Sequence, residues 1–332
     1  MGSILGTSDS ILKHYSSITE EAFRGFTRRC FIETNHDPSR AVILAGTGRS
    51  GTTWLAQLLA KLMRYRLIME PLRSHYFTIG GDEETRPYLR PDEDSPSLRS
   101  FLADNVFTGR LRGLLTDYSN STFIARGRIV KDIRICLCLK WIKNNFPNVP
   151  ILFVMRHPCA VVHSWISLGW GDREIDSILG QKLLVEDYLN NYVDTISAAK
   201  SRTEKVAIVW CIEQLIPLTT MSNNEWLVTT YEDLYRDPTS ELHRIMKYIR
   251  SRDENIRINA RTVVSDTVRT RSPVVTGRSP VETWQMELNE QEVKEILRIV
   301  HVFSLDSIYD RSFLPKSENL NRILNGVTSI GS

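Results

Sequence analysis

Eight consecutive residues carry the densest chemical signal in this chain: Gly46-Thr47-Gly48-Arg49-Ser50-Gly51-Thr52-Thr53. They follow the apolar run AVILAG and open GTTWLAQLLAKLMRY, in which apolar residues recur at helical spacing. A strand, a glycine-rich turn and a helix N-terminus together present several backbone N–H groups to one anion. The glycines allow close approach and positive φ. The spacing is that of a nucleotide phosphate loop, GxxxxGK followed by Ser or Thr, except that Thr52 stands in the lysine position and the basic residue lies inside the loop, at Arg49. A nucleotidase needs the lysine on the β- and γ-phosphates, and a Mg²⁺ held by Ser/Thr and by an Asp that closes a strand. No apolar strand ending in such an Asp is evident near this loop. The plain alternative is a glycine-rich turn that binds nothing.

GRSGTTW resembles the 5′-phosphosulfate loop of sulfotransferases that use 3′-phosphoadenosine-5′-phosphosulfate, PAPS. A sulfuryl group carries less charge than a phosphoryl group, so one arginine and the loop amides could stabilise the leaving phosphate without metal. The resemblance places Gly48, Arg49, Ser50, Gly51, Thr52 and Thr53 on the phosphosulfate and Trp54 on the adenine. Packing in a helix–sheet core is the other use of Trp54. The family also has an Arg at a strand end and a Ser eight residues later, both on the 3′-phosphate. In VMRHPCAVVHSW, Arg156 and Ser164 have that separation. A guanidinium fork and a hydroxyl near a helix start suit a phosphate. His157 and His163 read as structural hydrogen-bonders. By the same resemblance Tyr231, in TTYEDLYRDP, falls near the adenine, and Arg278, in TGRSPVETW, closes over the 3′-phosphate.

Glu70, in MEPLRSH, resembles the general base of carbohydrate-type sulfotransferases. His75 is the rival base, because cytosolic members of the family use a histidine. The reaction implied is in-line displacement, with PAPS as co-substrate, adenosine 3′,5′-bisphosphate as product and no metal. The acceptor would be a hydroxyl, less readily an amine, of a small molecule or carbohydrate. A P-loop kinase or NTPase, and a non-catalytic nucleotide-binding module of the same fold, are the competing readings.

The elements that would position these groups alternate. AVILAG, RLIME, RIVKD, PILFVMR and EWLVTTY read as strands. IRICLCLKWIKNNF, AVVHSWISL after Pro158, PTSELHRIMKYIRS and NEQEVKEILRIVHVF read as helices. Alternation argues for an α/β fold: three αβα layers, a central parallel sheet, and ligand groups beyond the carboxyl ends of its strands. Residues 1–40 read as a polar, partly helical lead-in and 41–314 as the sulfotransferase domain. Within it, 74–128 is the expected acceptor-side insertion, to which 170–195 adds. Residues 261–280 read as a loop and 315–332 as a polar, frayed tail.

Composition narrows the classes. Apolar residues make up 42% and charged residues 24%, ordinary values for a globular chain. A net charge of +3 points to neither nucleic acid nor an anionic membrane. Five cysteines without a CxxC pair point to neither a disulfide framework nor structural zinc. With no apolar signal core and no membrane-length apolar run, the expectation is a reduced, cytoplasmic enzyme.

Overall fold

Alternate side chains of AVILA leave on opposite faces of a sheet, and both faces are covered. In the computed structural model, strand β2 (Ala41–Ala45) sends Ala41, Ile43 and Ala45 into one hydrophobic cluster and Val42 and Leu44 into another. The structure describes residues 25–26, 30–73, 86–171, 174–249, 279–328 and 330. The central sheet has five strands in the order β3-β5-β2-β6-β7, where β3 is Arg66–Met69, β5 Arg128–Lys131, β6 Ile151–Met155 and β7 Leu227–Thr230. Every pairing is parallel, with Ile43 facing Val130 on one side and Ile151 on the other. The expected three-layer α/β architecture is what forms.

Parallel strands place all five carboxyl ends on one edge. That edge carries the glycine-rich turn after β2, Glu70 after β3, Asp132 after β5, Arg156 after β6 and Tyr231 after β7. The opposite edge is structural. There a small parallel pair, β1 (Ile32–Glu33) and β4 (Ile124–Ala125), is tied to the sheet by buried charges. Glu33 bonds Arg66 at 3.1 Å and Arg128 at 2.5 Å, and Arg66 bonds Asp117 at 2.8 Å. The expected polar lead-in thus contributes a strand and a buried carboxylate. Each buried charge has a partner of opposite sign, the condition for keeping it out of water.

Helices fill the outer layers: α1 (Thr52–Met63), α2 (Leu139–Asn145), α3 (Pro158–Ile166), α4 (Arg202–Thr220), α5 (Tyr231–Arg236), α6 (Pro238–Tyr248), α7 (Glu290–Val302) and α8 (Ser317–Leu324). Helices α1 and α6 cover one face; α3, α4 and α7 cover the other. The strands match the sequence reading closely, but the helices depart from it. The helix read from IRICLCLKWIKNNF is shorter, because Asp132 accepts the backbone N–H of Arg134 at 2.9 Å and a tight turn at Cys136–Cys138 precedes α2. The segment at 317–324 is not frayed: Leu320 and Ile323 of α8 are buried in the larger cluster. Helix α4 has no counterpart among the expected elements. Its 19 residues start at a Ser201/Glu204 capping box and are buried nearly all round. Among the described residues no helix is long and apolar enough to cross a membrane.

Candidate functional site

The turn after β2 is built from backbone that only some residues accept. Gly46 has φ +146° and Gly51 φ +88°, and Arg49 itself is left-handed at φ +70°. Gly51 is also a matter of space: a Cβ there would stand 2.3 Å from Cδ2 of Tyr231. The turn is held from below by α3 and α4. The Trp165 indole N–H donates to the Gly48 carbonyl at 2.7 Å, and Gln214 Nε2 donates to Thr47 Oγ1 at 2.7 Å. Thr52 and Thr53 are buried in the first turn of α1. Ser50 Oγ is buried with no hydrogen-bond partner among the described residues.

The second cluster assembles on the first. Arg49 Nε donates to Ser164 Oγ at 3.0 Å, so loop arginine and helix hydroxyl are direct partners. Arg156 Nη1 donates to the Arg49 carbonyl at 2.9 Å and Nη2 to the Pro280 carbonyl at 2.8 Å. Its guanidinium lies 4.3 Å from the centroid of the Tyr231 ring, a cation–π contact. Tyr231 meets Trp54 edge-on at 6.2 Å. Arg49, Ser50, Gly51, Trp54, Arg156, Ser164 and Tyr231 therefore form one connected patch. Trp54 is half-buried and belongs to neither extreme of core or surface. His75 and Arg278 lie outside the described residues.

His157 is a structural group, as expected. It accepts from the Cys159 N–H at 3.2 Å, contacts the Asp310 carbonyl at 2.9 Å and stacks on Trp284. Burial pushes its imidazole down to about 4, so it stays neutral. Beneath it, Glu232 accepts from the His157 N–H at 2.9 Å and from the Tyr309 hydroxyl at 3.0 Å. Burial raises the Glu232 carboxyl to about 7 against the pull of those donors and of Arg156.

Glu70 sits where expected, after β3, with a left-handed φ of +47°. Its neighbours were not foreseen. Lys131 Nζ bonds Oε1 and Arg134 Nη1 bonds Oε2, each at 2.7 Å. Burial acts to raise the carboxyl, but the two cations outweigh it and hold Glu70 at about 2. The sheet order explains the trio: β3 and β5 are neighbours, with Met69 opposite Lys131. Asp132, next along, corrects another reading, since an acid does close the apolar strand beside β2. Both its oxygens accept backbone N–H groups, from Leu72 and Arg134, each at 2.9 Å. Burial raises its pKa despite Arg134. Among the described residues no cluster of His, Cys, Asp and Glu could hold a metal ion.

Trp165, Gln214, Lys131 and Arg134 escaped the sequence reading. Two of them left a mark: Trp165 directly follows Ser164, and Gln214 follows Glu213 inside the apolar run VAIVWCIEQLIPL, where a polar pair needs a reason.

A family model described as the sulfotransferase family matches residues 41–254, more than half of the chain. The chain belongs to the sulfotransferase family. The match spans the strand, the turn, Glu70, Arg156, Ser164 and Tyr231 of this sulfotransferase. A comparison with curated proteins found no match. Among solved structures, the sulfotransferase domain from the curacin biosynthetic pathway is similar, at 13% identity and a TM-score of 0.43, covering 79% of this chain and 96% of that one. Retinol dehydratase in a complex with retinol and PAP follows at 14% and 0.36, covering 79% and 80%. A sulfotransferase from Alicyclobacillus acidocaldarius is at 13% and 0.36, covering 78% and 95%.

Proposed function

We propose that this sulfotransferase takes its sulfuryl group from PAPS and delivers it to a hydroxyl, less readily an amine, of a small-molecule or carbohydrate acceptor. Adenosine 3′,5′-bisphosphate leaves. The observation that carries this reading is the joining of the two anion-binding elements. Arg49, in the turn, and Ser164, on α3, share a 3.0 Å hydrogen bond, and Arg156 reaches the Arg49 carbonyl at 2.9 Å. A ligand that carries a 5′-phosphosulfate and a 3′-phosphate on one ribose needs two such elements side by side at fixed separation.

The residues present suit that ligand. Ser50 Oγ and Arg156 Nε are buried without hydrogen-bond partners among the described residues. A buried polar atom left unpaired costs free energy that a ligand oxygen would return. The turn amides and Arg49 would offset charge gathering on the bridging oxygen, preorganised before the reaction begins. Arg156 and Ser164 would hold the 3′-phosphate, with Trp54 and Tyr231 against the base. Glu70 would take the proton as the acceptor oxygen forms its bond to sulfur. The sulfur–oxygen bond to the 5′-phosphate breaks, its electron pair staying with the phosphate. Held at about 2, Glu70 is ionised at any ordinary pH and ready to accept, but it must loosen from Lys131 or Arg134 to gain basicity.

Calorimetric titration with adenosine 3′,5′-bisphosphate and AMP, together with a screen of acceptors against labelled PAPS, tests the reading. Tight bisphosphate binding without metal, and far weaker AMP binding, is expected. Tight ATP binding that requires Mg²⁺ would replace it with a kinase.

A further inference from the structure

Inside α4, within the otherwise apolar run Val206–Leu218, Glu213 and Gln214 face two different parts of the site. Gln214 holds the turn through Thr47 Oγ1. Glu213 forms a buried ion pair with Arg86 Nε, and all four of these residues are almost wholly buried. Arg86 belongs to the expected acceptor-side insertion. Its carbonyl accepts from Gln181 Nε2 at 2.9 Å, while the Tyr88 N–H donates to Gln181 Oε1 at 2.7 Å. Its guanidinium lies 5.2 Å from the centroid of the Trp165 ring, and Trp165 in turn holds the Gly48 carbonyl. Two routes therefore run from Arg86 to the turn: through Glu213 and α4 to Thr47, and through Trp165 to Gly48. Thr47 and Gly48 directly precede Arg49.

A buried ion pair is a poor source of stability, because desolvation cancels most of its attraction and apolar side chains of similar size do as well. Its value lies in fixed geometry. We infer that Arg86, Glu213 and Gln214 are positioning residues that link the donor turn to residues 86–90 of the expected acceptor-side insertion, so that filling the turn orders those residues. The inference rests on the donor reading of the turn. It assigns the linkage to one turn of α4, where consecutive residues hold the two sides of the reaction in register.

The test is backbone hydrogen exchange on the full chain, with and without adenosine 3′,5′-bisphosphate, in the wild type and in the Arg86→Met/Glu213→Leu double variant. In the wild type the bisphosphate is expected to slow exchange at residues 86–90 and 181–187. The double variant should keep its melting temperature, bind the bisphosphate about tenfold more weakly and lose the slowing at 86–90, a coupling of the usual size for linked sites. A purely structural pair would lower the melting temperature and leave ligand-dependent slowing in place. Wild-type protein that binds the bisphosphate without slowing at 86–90 overturns the linkage with no variant needed. A folded double variant with unchanged affinity and slowing overturns it as well. Wild type that binds no bisphosphate removes the donor reading itself, and the linkage with it. The variant Gln214→Leu, which severs only the Thr47 side, should weaken the same slowing while leaving the Arg86 pair intact.

Discussion

Arg49 Nε and Ser164 Oγ are 3.0 Å apart although 115 positions separate them in sequence. The bond joins the turn after β2 to the first helix after β6, and neighbouring strands make it possible: β2 pairs with β6 in register from Ile43–Ile151 to Ala45–Phe153. A cation with one of its donors already committed cannot swing freely, so Arg49 is oriented before any ligand arrives.

Removing the cation should therefore cost more than removing its orienting partner. Arg49→Ala is expected to lower kcat by roughly 10²–10³, the loss of one preorganised donor. Ser164→Ala should cost about tenfold, the worth of one hydrogen bond. Steady-state transfer from labelled PAPS ranks the two; equal rates in Arg49→Ala and wild type would remove the assignment of the turn.

Arg156 bridges two carbonyls, of Arg49 and Pro280, as well as facing Tyr231. Arg156→Ala is expected to narrow the preference for adenosine 3′,5′-bisphosphate over AMP by one to two orders of magnitude, each tenfold step being about 1.4 kcal/mol. Arg156→Lys should not restore it, because a single ammonium cannot reproduce the planar fork. Calorimetry of both ligands decides; an unchanged ratio with a lowered melting temperature would make Arg156 a strand-end brace only.

Glu70→Gln is expected to leave bisphosphate affinity intact and cut turnover by about 10² or more, with His75→Ala as the comparison. An active Glu70→Gln beside a dead His75→Ala would exchange their roles. The same variant has a stability signature. The folded carboxyl keeps its charge down to about 2, whereas the unfolded one takes up a proton near its ordinary value of 4.5. Between those values the unfolded chain binds more protons, so the contribution is complete above 4.5 and is lost as pH falls toward 2. Denaturant titrations of both proteins across pH 2–7 should converge at the acid end; a constant gap would contradict the two ion pairs.

Glu232 should behave in the opposite sense. Its folded carboxyl holds a proton to about 7, above the unfolded 4.5, so its contribution is complete below 4.5 and lost as pH rises through 7. Wild type should lose up to about 1.4 kcal/mol of stability per pH unit in that window from this group. Glu232→Gln should abolish that slope, and a slope surviving in the variant would place the proton elsewhere.

Gly51→Ala tests the turn by shape alone. It adds a Cβ that would meet Tyr231 Cδ2 at 2.3 Å, on backbone at φ +88°. The conformation alone costs about 1–2 kcal/mol, and the clash adds to it. A lowered melting temperature with weakened bisphosphate binding is expected, partly relieved in Gly51→Ala/Tyr231→Leu. A fully stable, tightly binding Gly51→Ala would show that the ring and turn do not constrain each other.

Legibility in this sequence followed the range of the interactions. AVILAG with its turn, and Pro158 opening α3, depend on neighbours a few residues away, and propensity and spacing wrote them plainly. Helix α4 left no such trace: with buried residues on nearly every side and Pro217 within it, it lacks the one-sided periodicity by which helices are read. The site divided the same way. Sequence by itself determined the parallel α/β sheet, the glycine-rich turn and the candidate residues Arg49, Glu70, Arg156 and Ser164, because each sits at a strand end or helix start whose local pattern is explicit. Only the tertiary structure decided their partners. It put Ser164 on Arg49, Lys131 and Arg134 on Glu70, and Gln214 beneath Thr47. The order β3-β5-β2-β6-β7 is set by packing of whole strands and helices, and side chains as far apart in sequence as Arg49 and Ser164 become partners only after that packing is complete.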